Sequence, residues 1–290
     1  MASSIAAIAP LGALLLGLVV GSFLNVLILR MPRRMQAELG QACAELDGNE
    51  AGEPLPSRWF GLDYLIWPAS TCPSCGHGIR AWENIPILSY LLLKGRCSQC
   101  RTAIGLRYPL VEAATGLLSL GIVVHFGATS TALVALVLTW GLVALTVIDI
   151  DEQLLPDQLT LPLMWLGLLV NINGMFTDLT SAVIGAAAGY LSLWLVFQLF
   201  RLLTGREGMG YGDFKLLAVF GAFLGWQLLP LIVLLSSLIG AVVGIAMTLL
   251  GGRDHRIPIP FGPYLAGAGL VALVWGEQLN RAYLQLSGLA

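Results

Sequence analysis

Residues 208–213 read GMGYGD and residues 148–157 read IDIDEQLLPD. In each stretch an aspartate, Asp213 or Asp149, is the charge nearest a long apolar run, and Asp151, Glu152 and Asp157 follow Asp149 further out. An ionisable group at the edge of a hydrocarbon core is costly unless it faces a wet cavity or a partner, which makes such carboxylates candidates for function. Two carboxylates held close together do not both ionise readily and share a proton, the arrangement that aspartic proteases use. The ionised member takes a proton from water, the water attacks the peptide carbonyl, and the protonated member polarises that carbonyl before a proton reaches the leaving amine. Neither a metal nor a covalent intermediate is needed. The three histidines, His77, His125 and His255, are scattered, and the chain contains no Gly-x-Ser-x-Gly or His-Glu-x-x-His.

Two plainer roles compete with this one. Asp213 suits the amino-terminal cap of a helix, and Asp149 suits an ordinary boundary charge. The glycines argue against a plain cap, which does not need three of them. Gly208, Gly210 and Gly212 remove alternate side chains ahead of Asp213, which permits unusual dihedrals and the close approach of another peptide chain there.

A second cluster suggests a different chemistry. CPSC at 72–75 and CSQC at 97–100 are two Cys-x-x-Cys knuckles separated by 21 residues, a spacing that lets Cys72, Cys75, Cys97 and Cys100 surround one tetrahedral zinc. Four sulfur ligands leave no open coordination position, so this zinc is expected to be structural. His77 is read as a surface residue and not a fifth ligand, and Cys43 as a free thiol.

The elements that must position these groups follow from composition. Of the 290 residues 57% are hydrophobic and 11% charged, with a mean hydropathy of +0.82, far from the roughly 25% charge of a soluble domain. An all-α polytopic membrane protein is expected. Apolar runs near 5–29, 108–126, 131–149, 158–176, 180–200, 228–250 and 258–276, with a shorter one at 213–226, give about eight transmembrane helices. Nothing basic precedes the first run and Arg30, Arg33 and Arg34 follow it, which points to an uncleaved first helix with its amino terminus outside. Nine of fifteen Lys and Arg residues lie between Arg30 and Arg107, three at Arg201, Arg206 and Lys215, and two at Arg253 and Arg256. Eight spans put all three groups in the cytosol, together with Asp149 and Asp213 at one depth; only Arg281 falls on the other side. The expected divisions are a first helix at 1–29, a small cytosolic zinc-knuckle domain at 30–107, and a seven-helix membrane domain at 108–290 carrying the Asp pair.

Small-xxx-small pairs at Gly17/Gly21, Gly185/Gly189, Gly221/Gly225 and Gly240/Gly244 allow close helix packing. Trp59, Trp67 and Trp82 suit either interfacial anchors or the core of the small domain, and Pro258 and Pro260 mark the start of the last span.

GYGD at 210–213, IDIDEQLLPD at 148–157, GSFLNVLILRMP at 21–32, the paired knuckles at 72–100 and PFGPYLAGAG at 260–269 together resemble the type IV prepilin peptidases, in the family's order along nearly the whole chain. Gly-x-Gly-Asp alone is less specific, since preflagellin peptidases and presenilins share it. The resemblance implies a multi-pass inner-membrane enzyme, active at the cytosolic face, that removes the short basic leader of type IV prepilins and of the pseudopilins of type II secretion, cutting after a glycine. It further implies methylation of the new amino terminus with S-adenosylmethionine; no donor-binding residue is identifiable, and no nucleotide-binding glycine fingerprint is present. Carried over residue by residue, it makes Asp149 and Asp213 catalytic, Gly210, Tyr211 and Gly212 the active-site loop, and Cys72, Cys75, Cys97 and Cys100 the zinc ligands, with Asp151 close enough to compete for the first catalytic position. Prepilins, pseudopilins and the lipid bilayer are the implied partners, and nucleic acid is not one. A peptidase without methyl transfer, a proton-coupled transporter and a non-catalytic scaffold of a pilus or secretion machine are the alternatives; the transporter would place its carboxylates near the midplane.

Overall fold

The computed structural model describes residues 2–46, 63–66, 69–206, 208–251 and 260–286. Trp59, Trp67, Arg253, His255, Arg256 and Pro258 lie outside the described residues. The described chain is helical: α1 (Ala2–Leu46), the short α2 (Asp63–Ile66) and α3 (Leu88–Leu92), then α4 (Arg107–Phe126), α5 (Ser130–Glu152), α6 (Asp157–Val170), α7 (Leu179–Thr204), α8 (Tyr211–Leu224), α9 (Leu229–Gly251) and α10 (Gly262–Leu286).

The helices of 14 residues or more are α1 and α4 to α10, eight in all among the described residues, at the eight apolar runs. Five helical segments are long and apolar enough to cross a bilayer: Ile8–Leu46, Arg107–Phe126, Ser130–Glu152, Leu179–Thr204 and Trp226–Leu249. This is a multi-pass membrane protein. At about 1.5 Å per residue α6 and α8 rise only about 21 Å, less than the roughly 30 Å hydrocarbon core. The chain falls into two compact units, residues 1–140 and 141–290.

In the first unit α1 packs along α4 through missing side chains. A Cβ on Gly17 would stand 2.7 Å from Ser119 Cβ, and one on Gly21 would stand 2.7 Å from Glu112 Cα, so the two backbones meet where the glycines allow it. The helix does not stop where its apolar run stops. It continues through Arg30–Leu46, where Arg34 Nε donates to Glu38 Oε1 at 2.7 Å one turn on.

In the second unit α8 is the core. Every residue from Asp213 to Leu224 except Lys215 is buried, and Phe214, Phe220 and Phe223 are fully so. Its glycine side is pressed against α7: a Cβ on Gly189 would sit 2.7 Å from the Leu217 carbonyl oxygen, and one on Gly221 would collide with the Gly185 carbonyl. The far end of α8 is held by Asn171. Its amide donates to the Ala222 and Phe223 carbonyls at 2.8 and 2.9 Å and its oxygen accepts the Phe176 and Thr177 N–H groups, so this fully buried side chain leaves nothing unpaired. By contrast α9 exposes Leu234, Leu238, Val242, Ile245 and Leu249, a stripe at helical spacing that suits lipid.

Candidate active site and metal centre

Asp149 lies on the last turn but one of α5 and is buried (6% exposed). Asp213 lies in the first turn of α8 and is buried too (7% exposed). The two carboxylates are close enough to act on one another electrostatically. Asp151 is exposed, because two residues along a helix turn about 200° and carry it to the opposite face.

The cap of α8 is Gly210, not Asp213. Gly210 has extended dihedrals (φ −80°, ψ 148°) and its carbonyl accepts the Asp213 N–H at 3.3 Å. Asp213 is therefore the third helical residue. The glycines permit unusual dihedrals, but none of the three has a left-handed φ. What they provide is space. A Cβ on Gly208 would stand 2.9 Å from the Phe200 ring and one on Gly212 would stand 2.6 Å from Leu155 Cβ. Gly210 alone of the three is open, its nearest such neighbours being Asp213 Oδ2 at 3.9 Å and the Gly212 nitrogen at 4.0 Å. Tyr211, nearly half exposed, stacks with Phe197 and Phe214 at 5.3 and 5.4 Å between ring centres.

A third element completes the site, and the reading of the residues had not assigned it a role there. Gly262, the first residue of α10, donates its N–H to Asp149 Oδ2 at 2.9 Å. The positive end of a helix thus faces the carboxylate. Leu155 fills the angle between the elements, touching the Cβ positions of both Gly212 and Gly262. The signal was present as a glycine ahead of Pro263 in PFGPYLAGAG, but nothing local connects it with Asp149.

In the first unit the sulfurs of Cys72, Cys75, Cys97 and Cys100 all lie within 4.8 Å of one another, and Cys72 and Cys100 are 3.7 Å apart. Zn–S bonds near 2.3 Å in a tetrahedron require about 3.8 Å between sulfurs, so the four thiols fit a metal such as zinc. The two knuckles are built alike. Cys72 N–H donates to the His77 carbonyl and Cys97 N–H to the Thr102 carbonyl, at 2.8 and 2.9 Å, and bridges join Thr71 to Gly78 and Arg96 to Ala103. Gly76 (φ 71°) and Arg101 (φ 56°) make the same left-handed turn, which costs nothing at glycine and some strain at arginine. Backbone N–H groups of Ser74 and Cys75 hold the Cys72 thiol below its ordinary range and hydrogen bonding to Thr102 brings Cys100 down to about 6, whereas desolvation and the neighbouring thiols push Cys75 up to about 11, so the proton is shared unevenly across the cluster. His77 is not a surface residue. Its side chain is 13% exposed, with Nε2 3.4 Å from Glu83 Oε2, and it stands outside the sulfur cluster. Cys43 is exposed on α1, and Trp82 is about half exposed.

Residues 15–126 match the model of the bacterial peptidase A24 N-terminal domain, and residues 136–245 match that of the type IV leader peptidase family. The chain is 56% identical over 275 residues to a prepilin leader peptidase/N-methyltransferase of Pseudomonas aeruginosa, covering 95% of this chain and 93% of the relative. The chain belongs to the type IV leader peptidase family. Proteins of the same name from Aeromonas salmonicida (53% over 270 residues, 93% of this chain and 92% of the relative) and Burkholderia pseudomallei (50% over 277 residues, 95% and 87%) are also similar. No solved structure matches the chain. Within this leader peptidase the N-terminal model covers both cysteine knuckles and the second model covers both buried aspartates, whereas Gly262 lies beyond the matched segment.

Proposed function

We propose that the chain is a bifunctional enzyme of the bacterial inner membrane that removes the basic leader of type IV prepilins and pseudopilins and then methylates the exposed amino terminus. The observation that carries the peptidase half is the burial of both Asp149 and Asp213, at the end of α5 and the start of α8 and within electrostatic reach of one another, with Asp151 exposed. One carboxylate removes a proton from water while the other, protonated, hydrogen-bonds the scissile carbonyl and supplies the proton that the leaving amine requires. The open space at Gly210 beside the Asp213 carboxylate gives an extended peptide room to reach the pair.

Charge supports the orientation. A prepilin is an apolar helix with a basic leader in the cytosol, and the order of apolar runs and positive clusters along the sequence predicts a cytosolic side for both aspartates. Zinc, held by Cys72, Cys75, Cys97 and Cys100, has a structural role, tying two knuckles into one small domain. The methyl-transfer half rests on the relatives, which are prepilin leader peptidase/N-methyltransferases. In that step the new terminal amine, having lost its proton to solvent, forms the N–C bond with its lone pair as the C–S bond of S-adenosylmethionine breaks toward sulfur.

The test is cleavage of a purified prepilin in detergent by the wild type and by Asp149→Asn, Asp151→Asn and Asp213→Asn, with mass spectrometry of the product. Loss of cutting by about 10²–10⁴-fold in the first and third, with Asp151→Asn near wild type, is expected. Cutting by Asp213→Asn would sink the dyad, and cutting by the wild type without a methyl gain from S-adenosylmethionine would leave a peptidase alone.

A further inference from the structure

A cavity of about 1360 Å³ lies within the first unit, walled by α1, the knuckle segment and the start of α4. Small-molecule pockets commonly span about 300–1,000 Å³, so it can hold a ligand of nucleoside size with room beside it. Three polar residues in its wall are more than nine-tenths buried: Ser22, Asn25 and Glu112. Ser22 and Asn25 are one turn apart on α1, and Tyr108 and Glu112 are one turn apart on α4. The Asn25 amide donates to the Tyr108 carbonyl at 3.1 Å, which fixes the side chain, and its Oδ1 has no partner. Glu112 Oε2 accepts the Ile87 N–H at 2.8 Å, and the Ser22 hydroxyl donates to Asn84 Oδ1 at 3.5 Å. No Lys, Arg or His side chain pairs with Glu112 among the described residues.

A buried carboxylate without a cation and a buried amide oxygen without a donor are both costly in an empty cavity, and both are satisfied by a cationic ligand that carries N–H groups. S-adenosylmethionine has a permanent sulfonium and an α-ammonium on its methionine end. We propose that this cavity is the methyl-donor site, with Glu112 and Asn25 receiving the cationic methionine end of the donor; the assignment rests on the methyl-transfer reading above. Its place also gives the cysteine knuckles a purpose in that reaction, since Cys72 and Cys97 line the same cavity.

Equilibrium dialysis of radiolabelled S-adenosylmethionine against the full-length protein in detergent tests this, without pilin present. Glu112→Gln keeps an oxygen for the Ile87 N–H and removes only the charge; Asn25→Leu removes the free acceptor, and bound zinc with the melting temperature shows whether each variant is folded. Donor affinity should fall at least about tenfold in both, and less for the thioether product analogue, which lacks the sulfonium charge. Wild-type affinity in both variants, while the wild type binds donor and methylates cleaved pilin, overturns the site and leaves the methyl-transfer reading intact. Unchanged donor binding with a raised KM for cleaved pilin would mean that the acceptors serve the pilin amine, which also overturns it. A wild type that neither binds donor nor methylates removes both.

Discussion

Gly262 N–H and Asp149 Oδ2 meet at 2.9 Å across 113 residues of chain, and a Cβ on Gly262 would stand only 2.6 Å from that same oxygen. The hydrogen bond and the absence of a side chain are one requirement: the carboxylate rests directly on the first N–H of α10.

Gly262→Ala should therefore displace the Asp149 carboxylate. A misplacement near 1 Å in a catalytic group costs on the order of 10²-fold in rate. Steady-state cleavage should show this loss mainly in kcat, with the melting temperature lowered little; a kcat within twofold of wild type would show that the contact does not position the reacting group.

The three glycines of GMGYGD should separate by their surroundings. Gly212→Ala drives a methyl into Leu155 at 2.6 Å and should destabilise the protein, whereas Gly210→Ala has room and an ordinary φ of −80°. Gly210→Ala should fold normally yet cleave about tenfold or more slowly, because its methyl occupies the open approach beside Asp213. Melting curves paired with prepilin kinetics distinguish the two, and equal behaviour of both variants would contradict the assignment.

Removal of metal should strike one unit first. Prolonged chelation, or Cys97→Ser, should release zinc, lower the melting temperature and abolish methyl transfer, while cleavage by the residues of the second unit falls much less. Thiolates bind the metal and protons compete for them, so zinc retention measured by atomic absorption should weaken as the pH falls. Full zinc loss with methyl transfer unaffected would refute the coupling.

Asp178 caps α7 by accepting the Ser181 N–H at 2.9 Å, and hydrogen bonds from Ser181 hold its carboxyl below the usual range. Because the folded value is depressed, this stability is present above the unfolded carboxylate pKa and is lost as the pH falls through the folded one. Asp178→Ala should lower the melting temperature at neutral pH by more than it does near pH 3, as thermal scans at the two pH values would show. A pH-independent deficit would assign the effect to something other than the charge.

Much of the site was legible because it is local. A Cys-x-x-Cys knuckle folds on its own neighbours, so the pairs at 72–75 and 97–100 were enough to place four sulfurs around one point. The eight apolar runs became helices because a chain in hydrocarbon must satisfy its own backbone, whatever its partners are. The glycine pairs on α1 and α7 also lie where helices touch, since only small residues allow that approach.

Other features were legible only in part. His77 was read as a surface residue, and packing with Glu83 encloses it instead. Of the two things the glycines before Asp213 permit, unusual dihedrals and close approach, the structure uses the second: they make room for Phe200 and Leu155 and leave an open approach at Gly210.

The sequence by itself determined a membrane protein with two candidate carboxylates at the ends of apolar runs and a four-cysteine cluster, because hydropathy, charge order and knuckle spacing act over a few residues to one span. Only the tertiary structure decided that Asp149 and not Asp151 is buried, that α10 brings Gly262 to it, and that Asn25 and Glu112 share a cavity. The helical period separates Asp149 from Asp151 by about 200°, but which side faces inward depends on neighbours distant in sequence, and no local pattern encodes them.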